Sequence, residues 1–279
     1  MISHSLKYGL LALVLLSPLL KAQQTMQEQF DYALSLYNRQ NYFDAVTEFK
    51  RLNFFDKEKE YAYQSDMYIG KSYKEGGKFP EALQYFTLAE IAAVKDSDLF
   101  NAKIYAVRTN ILRRSITGAL RLLDRLEDDD RFKDMKQDII YWRGWAYMFE
   151  NGWDDAAAAF KSIGNDSLKV LCENVSSDQY NVTTAKILSY IIPGAGQFYT
   201  GHYFSGLLSL GWNVLWGYLT VKAFVDNRIF DGIVVGNFLW LRFYVGNIQN
   251  AGKFAETENI AIENKALNYL QYQYSGPKP

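Results

Sequence analysis

The stretch MYIGKSYKEGGKFPEALQYFTLA, residues 67–89, carries the signals of two helices joined by a tight turn. Its two adjacent glycines end the first helix, because paired glycines favour the backbone that follows a helix C-terminus. Pro80 falls in the first turn of the next helix, where its missing N–H costs no hydrogen bond. Gly70 and Ala82 are small enough to let the two helices approach closely. The stretch therefore predicts a tightly packed helix pair.

The same pattern recurs every 37 residues along the first half of the chain. The recurring alanines are Ala45, Ala82, Ala119 and Ala156. Each is followed after four positions by a large apolar residue, at Phe49, Phe86, Leu123 and Phe160. Each is preceded by three positions by another, at Tyr42, Phe79, Ile116 and Trp153. A fixed period of this length is typical of stacked supersecondary units. We therefore predict an all-α fold with four such units in residues 23–163.

These units resemble the tetratricopeptide (TPR) repeat. The stretch at residues 67–89 and the stretch YWRGWAYMFENGWDDAAAAFKSI at residues 141–163 match nearly every position of the family pattern. The first unit departs from it at Leu36, where an aromatic belongs, and at Gln40, where glycine belongs. The third unit keeps only the spacing and the apolar positions. The resemblance implies a solenoid of stacked helix pairs that binds other proteins or peptides.

In the TPR family the first helix of each unit lines a concave groove. The groove positions fall on Phe30, Leu34, Tyr37, Met67, Lys71, Lys74, Ile104, Arg108, Ile111, Tyr141, Trp145 and Met148. This set has aromatic ends and a basic middle, which suits a peptide with an apolar anchor and an acidic centre. An alternative interpretation is that several of these side chains pack against the segment next to the signal or against the membrane domain.

Composition limits the chemistry available to the chain. Its 279 residues suffice for about two domains, and its net charge of −1 provides no bulk attraction to nucleic acid. With His4, His202 and Cys172 as its only histidines and cysteine, it offers no His-rich or Cys-rich metal site. We therefore predict no metal, no cofactor, no small-molecule substrate and no enzymatic activity.

Residues 1–22 have the pattern of a secretory signal: a lysine, an apolar run and a candidate cleavage position after Ala22. An uncleaved membrane anchor is the alternative. Residues 164–184 are polar and are predicted to be a linker. The repeats would then lie outside the cytoplasm, in the periplasm of a bacterium with the chain held at the inner membrane.

Residues 185–252 form a predicted membrane domain. Residues 204–221 and 229–248 are each long enough to cross a hydrocarbon core of about 30 Å, and a short polar break separates them. We predict a transmembrane helical hairpin in which Asn213 and Asn237 face each other, followed by a helical tail at residues 253–279. A buried helical pair in a soluble domain is the alternative. Residues 187–199 fit an interfacial or half-inserted helix.

The two ends of this domain carry matching motifs, PGAGQFYTG at residues 193–201 and YVGNIQNAG at residues 244–252. They resemble a bacterial membrane module that often follows TPR repeats, and the first motif is also similar to the TM2-type helical-hairpin domain. The motif residues are Pro193, Gly194, Gly196, Gln197, Tyr199, Gly201, Tyr244, Gly246 and Asn247. The resemblance implies a membrane location and no particular activity.

Three functions remain open from the sequence. The leading hypothesis is a membrane-anchored TPR scaffold or adaptor that holds partner proteins during envelope or membrane-protein assembly. The second is a membrane enzyme or lipid-handling protein whose site uses Gln197, Tyr199, His202 and Arg242, although no nucleophile–base pair supports it. The third is an oligomeric channel that uses Asp231 and Arg242.

Overall fold

The computed structural model describes residues 25–279, and this part of the chain is all-helical, without a strand. The predicted signal segment, residues 1–22, lies outside the described residues. The chain divides into two compact units. Unit 1 contains the described residues up to Asn165 together with Pro277–Pro279, and unit 2 is Asp166–Gly276.

Unit 1 consists of eight α-helices within the described range. They are α1 (Met26–Asn38), α2 (Tyr42–Phe55), α3 (Ala62–Glu75), α4 (Phe79–Ala92), α5 (Asp96–Leu112), α6 (Ile116–Glu127), α7 (Lys136–Phe149) and α8 (Trp153–Ser162). A short 3-10 helix, Asp130–Met135, precedes α7. Each helix packs against the next one, and α1, α3, α5 and α7 also contact each other in succession. The odd-numbered helices are therefore neighbours along one side of the unit.

The recurring small residues lie at the helix contacts. The four alanines of the 37-residue pattern are fully buried, and so are the large apolar residues that follow them. A Cβ atom built on Gly70 would lie 2.6 Å from the Phe86 ring, and one built on Gly144 would lie 2.6 Å from the Phe160 ring. Such distances are closer than carbon atoms can approach, so glycine at these positions is what admits the phenylalanine.

The same turn joins the helices of every pair in unit 1. The residue before the helix-capping position has a positive φ, at Gln40, Gly77, Arg114 and Asn151, with values between 60° and 71°. The next N–H bonds the carbonyl five residues earlier, as Lys78 does to Tyr73 at 2.8 Å. Only Gly77 is a glycine, so three of the four turns hold a left-handed residue with a side chain. The turn therefore recurs every 37 residues, although the residue at its positive-φ position differs from one repeat to the next.

Unit 2 contains the remaining helices. They are α9 (Asp166–Asp178), α10 (Val182–Ile191), α11 (Ala195–Tyr199), α12 (Tyr203–Val225), α13 (Ile229–Val234) and α14 (Leu241–Tyr272), with a π-helical segment, Val235–Trp240, between the last two. Helix α14 packs on α9, α10, α11 and α12, and α12 packs on α13 and the π-helical segment.

Two parts of unit 2 differ from the sequence interpretation. The range predicted to be a linker holds α9, because Leu168, Cys172 and Val175 recur at helical spacing and are buried on one face. The tail predicted to begin at residue 253 is continuous with the preceding helix, since α14 runs unbroken to Tyr272. Its buried Ala255 extends the same packed face beyond the predicted boundary.

Among the described residues, one continuous helix, Ile229–Tyr272, is long and apolar enough to cross a membrane. Its most apolar window has a mean hydropathy of 1.3 and is 6% buried. Helix α12, which contains the other predicted span, does not reach the same hydropathy, because it carries Asn213, Lys222 and several tyrosine, tryptophan and glycine residues. Asn213 and Asn237, predicted to face each other, each donate an amide hydrogen bond to a carbonyl four residues earlier in the same helix, and Asn213 is buried while Asn237 is exposed.

Candidate functional site: a ladder of aromatic and basic side chains

Five side chains on α3, α5 and α7 alternate between aromatic and basic and stack into a ladder: Tyr68, Lys71, Tyr105, Arg108 and Trp142. The Lys71 Nζ atom lies 4.6 Å from the ring centre of Tyr68 and 4.7 Å from that of Tyr105. The Arg108 guanidinium carbon lies 4.5 Å from the Tyr105 ring centre and 4.8 Å from that of Trp142. Each cation therefore lies between two rings, where the negative ring faces attract it.

The repeat period explains how the ladder forms. Tyr68, Tyr105 and Trp142 are 37 residues apart, and so are Lys71 and Arg108. Because the odd-numbered helices are neighbours, equivalent positions on successive units come together in space. The sequence interpretation named the two cations but missed the three aromatic residues that flank them. Tyr68 and Tyr105 lie three positions before the cations, and Trp142 follows Tyr105 after one further period of 37 residues, so the spacing is the signal that identifies them.

The centre of the ladder is electrostatically positive. Lys74, from the next turn of α3, is 7% exposed and forms an ion pair with Glu75 at 3.2 Å. Burial, together with the nearby charge of Arg108, lowers the pKa of Lys74, while Glu75 opposes this effect. Burial acts to raise the pKa of Tyr105, but the charges of Lys71 and Arg108 outweigh it and lower that pKa. Such a surface favours ligands that bring negative charge or hydrogen-bond acceptors.

The structure separates the predicted groove residues into three groups. Phe30, Leu34 and Tyr37 are half-buried and pack on the cluster of Ala33 and Phe49. Other members are buried: Met67, Lys74, Ile104, Ile111, Trp145 and Met148. Lys71, Arg108 and Tyr141 are also half-buried, and they lie in the ladder or beside it, so they are the predicted groove residues that can meet a ligand at the ladder.

A short segment of the chain lies against this surface. Within unit 1, the Arg108 Nη2 atom donates a hydrogen bond to the main-chain carbonyl of Lys278 at 2.6 Å. The Tyr141 hydroxyl donates a second hydrogen bond to the carbonyl of Pro277. The Nε atom of Arg108 is buried and has no hydrogen-bond partner among the described residues. Arg108 of the ladder and the adjacent Tyr141 therefore bind two consecutive main-chain carbonyls of this segment, and one buried donor of Arg108 has no partner.

The membrane motifs of unit 2 meet in a buried polar cluster. The Gln197 Nε2 atom donates to Asn247 Oδ1 at 2.5 Å, and Gln197 Oε1 accepts from the Ser189 hydroxyl at 3.0 Å. The Ser189 oxygen in turn accepts from the Gly196 N–H at 2.9 Å. Gln197, Ser189 and Asn247 are all buried. The cluster links α10, α11 and α14, and its amide and hydroxyl groups satisfy each other.

The glycines beside this cluster allow the backbone to approach closely. A Cβ atom on Gly196 would overlap the Ala185 carbonyl oxygen, and one on Gly194, whose φ is +94°, would overlap that of Gly206. Gly201 also has a positive φ, of +80°, whereas a Cβ atom on Gly246 would meet nothing within 4 Å. These glycines and Pro193 lie where the chain passes from α10 through α11 to α12. Close contacts require a glycine at only some of the motif positions.

The other motif residues and the residues of the enzyme hypothesis make separate contacts. The Tyr199 hydroxyl accepts from the Asn181 N–H at 3.1 Å, and the Tyr244 hydroxyl donates to the Tyr190 carbonyl. His202 stacks on Phe254 with ring centres 3.9 Å apart, and Arg242 is exposed. Within residues 25–279 there is no group of three His, Cys, Asp or Glu side chains placed to hold a metal ion.

No family model, curated protein or solved structure matches this chain. The functional interpretation therefore depends on the chain's own residues, on the ladder above all.

Proposed function

We propose that this chain is a membrane-anchored scaffold or adaptor of the bacterial cell envelope. A TPR-like solenoid in unit 1 binds extended peptides of partner proteins, and unit 2 anchors the chain in the inner membrane through a transmembrane helical hairpin. The repeats lie in the periplasm, and the partners are proteins of envelope or membrane-protein assembly.

The ladder is the observation that carries the peptide-binding part of the proposal. Its cations are held between rings, so their positions are set before any ligand binds, which lowers the entropy cost of binding. Aromatic faces and fixed donors on one surface are what an extended peptide needs. The two main-chain carbonyls already bound there are an example of such a contact.

Regular packing supports the solenoid. The buried alanines and the positive-φ turns recur every 37 residues, and the close glycine–phenylalanine contacts recur after two such periods. In stacked repeats each unit buries its apolar face against its neighbours, which explains why these features sit at the helix contacts.

Exposed apolar side chains support the membrane anchor. Helices α12, α13 and α14 and the π-helical segment leave large apolar residues open, among them Phe204, Leu207, Tyr218, Val225, Phe230 and Phe238. Side chains of this kind in contact with water would be unfavourable, whereas lipid tails would cover them. The packing of α12 on α13 and the π-helical segment supports a hairpin of two spans.

The enzyme hypothesis finds less support. Gln197, its central residue, lies in a buried cluster with satisfied hydrogen bonds and serves the packing of three helices. The Thr200 hydroxyl lies 3.3 Å from His202 Nδ1, and His202 Nε2 lies 3.6 Å from Glu258. That hydroxyl is buried and bonds the carbonyls of Gly196 and Gln197, so it is not placed to attack a substrate.

Peptide selection on the purified, detergent-solubilised chain tests the binding function. Random displayed peptides selected on the wild-type chain are re-measured on a variant with Lys71→Ala and Arg108→Ala. The matched control carries Lys133→Ala and Lys136→Ala, which remove the same charge from exposed positions. We expect at least a tenfold loss of affinity, about 1.4 kcal/mol, in the ladder variant alone. An equal loss in both variants, or no enriched peptide, would contradict the proposal.

Reporter fusions after residues 183, 227 and 279 test the membrane arrangement. The hairpin in the proposed orientation places the first and last fusions in the periplasm and the middle one in the cytoplasm. A middle fusion on the same side as the other two would exclude a hairpin.

A further inference from the structure

The peptide that lies on the ladder belongs to the chain itself. Pro277 and Lys278 present consecutive main-chain carbonyls to Tyr141 and Arg108. Lys278 and Pro279 are half-buried, while Pro277 remains exposed. The contact is made by the peptide backbone, so it does not require these particular side chains.

Proline explains why this segment is suited to such a contact. Gly276 and Lys278 each precede a proline, and a residue in that position is biased toward an extended backbone. An extended proline-containing strand has no internal hydrogen bonds, so its carbonyls are free to accept from a surface. Because proline restricts the backbone beforehand, ordering the segment costs less entropy.

The segment nevertheless satisfies the site incompletely. It leaves the buried Nε–H of Arg108 without a partner, and its main-chain carbonyls bring no negative charge to Lys71 and Arg108. A carboxylate would supply both, since it can accept from Nε and Nη2 of one guanidinium at the same time and neutralises charge.

We propose that Pro277–Pro279 is a resident, weakly held occupant of the ladder, and that the partner is an extended acidic peptide which displaces it by placing a carboxylate on Arg108. This inference rests on the proposed function, because it assumes that partners bind at the ladder. Because the segment belongs to the same chain, its binding is intramolecular, and even a weak occupant competes with a partner. Partner binding is then a competition, and weak ligands are excluded.

A spin label near the segment tests whether it is docked. Ser275→Cys provides an exposed attachment site, and the single natural cysteine, Cys172, is fully buried. We expect an immobilised nitroxide spectrum in the full chain and a mobile one after Tyr141→Phe with Arg108→Gln. The control, Arg143→Gln, changes a neighbouring guanidinium that binds Asp124 and Glu127 instead, and it should leave the label immobilised. Equal mobility in the chain with and without the ladder substitutions would overturn docking.

Two synthetic peptides test displacement and partner chemistry. SGPKP copies residues 275–279, and SGPEP replaces its lysine with glutamate; both are synthesised as C-terminal amides, so that the glutamate is the only carboxylate. We expect SGPEP to mobilise the label at roughly tenfold lower concentration, because its carboxylate can form a charge-assisted pair with Arg108. Deletion of residues 277–279 should strengthen SGPEP binding about five- to tenfold by removing the tethered competitor.

The outcomes separate this inference from the proposed function. If neither peptide releases an immobilised label, or if both release it equally, the displacement by an acidic partner is wrong. If the label is mobile from the start while library peptides still bind the ladder, the resident segment is wrong and the peptide-binding function stands.

Discussion

At the scale of single residues, the packing of unit 1 depends on matched volumes at positions 16 residues apart. Gly70 faces Phe86, and Gly144 faces Phe160, so the smallest residue accompanies the largest ring. The equivalent positions of the third 37-residue repeat carry Val107 and Leu123, both fully buried. These two side chains are intermediate in size, so their combined volume is close to that of a glycine and a phenylalanine.

Gly144→Ala should therefore destabilise the chain by about 1–3 kcal/mol, because the added methyl overlaps the Phe160 ring. Phe160→Leu in the same background should recover part of this loss, since it removes the ring that the methyl meets. Urea unfolding of the solubilised chain, followed by circular dichroism, measures both. Gly76→Ala, at a glycine with ordinary contacts of 3.4 Å, is the control. Strictly additive effects of the two substitutions on the free energy of unfolding would contradict the matched volumes of residues 144 and 160.

Asp66 gives a pH-dependent prediction. Its carboxylate accepts from Asn53 Nδ2 at 2.8 Å, yet burial raises its pKa from 3.8 to about 6. Because the folded state holds the proton more tightly, the contribution of Asp66 to stability is present below pH 4 and is lost as the pH rises through 6. Asp66→Asn should therefore stabilise the chain at pH 7.5 by about 1 kcal/mol, screening by solvent included.

Thermal unfolding at a series of pH values checks this. The gain from Asp66→Asn should shrink as the pH falls from 7 toward 4. Asp44→Asn is the matched control, since this exposed carboxylate also accepts from an asparagine amide, at 2.7 Å. A gain of equal size at every pH would contradict the assigned titration.

At the scale of elements, the local signals predicted most helices well, and the exceptions have physical reasons. Tyr42, Phe79, Ile116 and Trp153, picked out by spacing, are the first residues of α2, α4, α6 and α8. The polar composition of residues 164–184 led to the prediction of a linker in place of α9, because only three residues of this helix are buried. Asn213 bonds its own helix instead of its neighbour, since a carbonyl four residues earlier is always within reach of a helical asparagine.

Two motif glycines of unit 2 should respond oppositely to alanine. Gly196→Ala places a methyl against the Ala185 carbonyl, the Ser189 hydroxyl and Ala251, so we expect a severe loss of folded protein. Gly246→Ala meets nothing within 4 Å and removes a poor helix former from α14, so it should be neutral or stabilising by up to about 1 kcal/mol. The yield of monodisperse protein after solubilisation and its melting temperature measure the difference. Similar losses for both would contradict the close approach at α11.

At the scale of the whole molecule, the two units present different surfaces. Unit 1 buries the large apolar residues of its repeats, such as Phe49, Phe86 and Phe160, between helices, and unit 2 leaves a long apolar helix mostly exposed. A chain of this kind should remain in the membrane pellet after alkaline carbonate extraction.

Phe238→Arg should move part of the chain into the carbonate supernatant, because an arginine at the centre of a span costs about 2.5–3.5 kcal/mol. Phe54→Arg, at a similarly exposed phenylalanine of unit 1, should leave the pellet fraction unchanged. Full release of the wild-type chain by carbonate would argue against any membrane span.

The sequence by itself determined the periodic part of this protein. The positions of the helix starts, the small residues and the turns follow from the 37-residue spacing. Each repeat forms the same local helix pair, so the same features return after each period. Only the tertiary structure decided which side chains meet. The Gln197–Asn247 pair and the segment on Arg108 join residues that are distant in sequence and that no repeat relates. The 37-residue spacing identifies the residues of the ladder, but their stacking depends on the packing of three helices against one another.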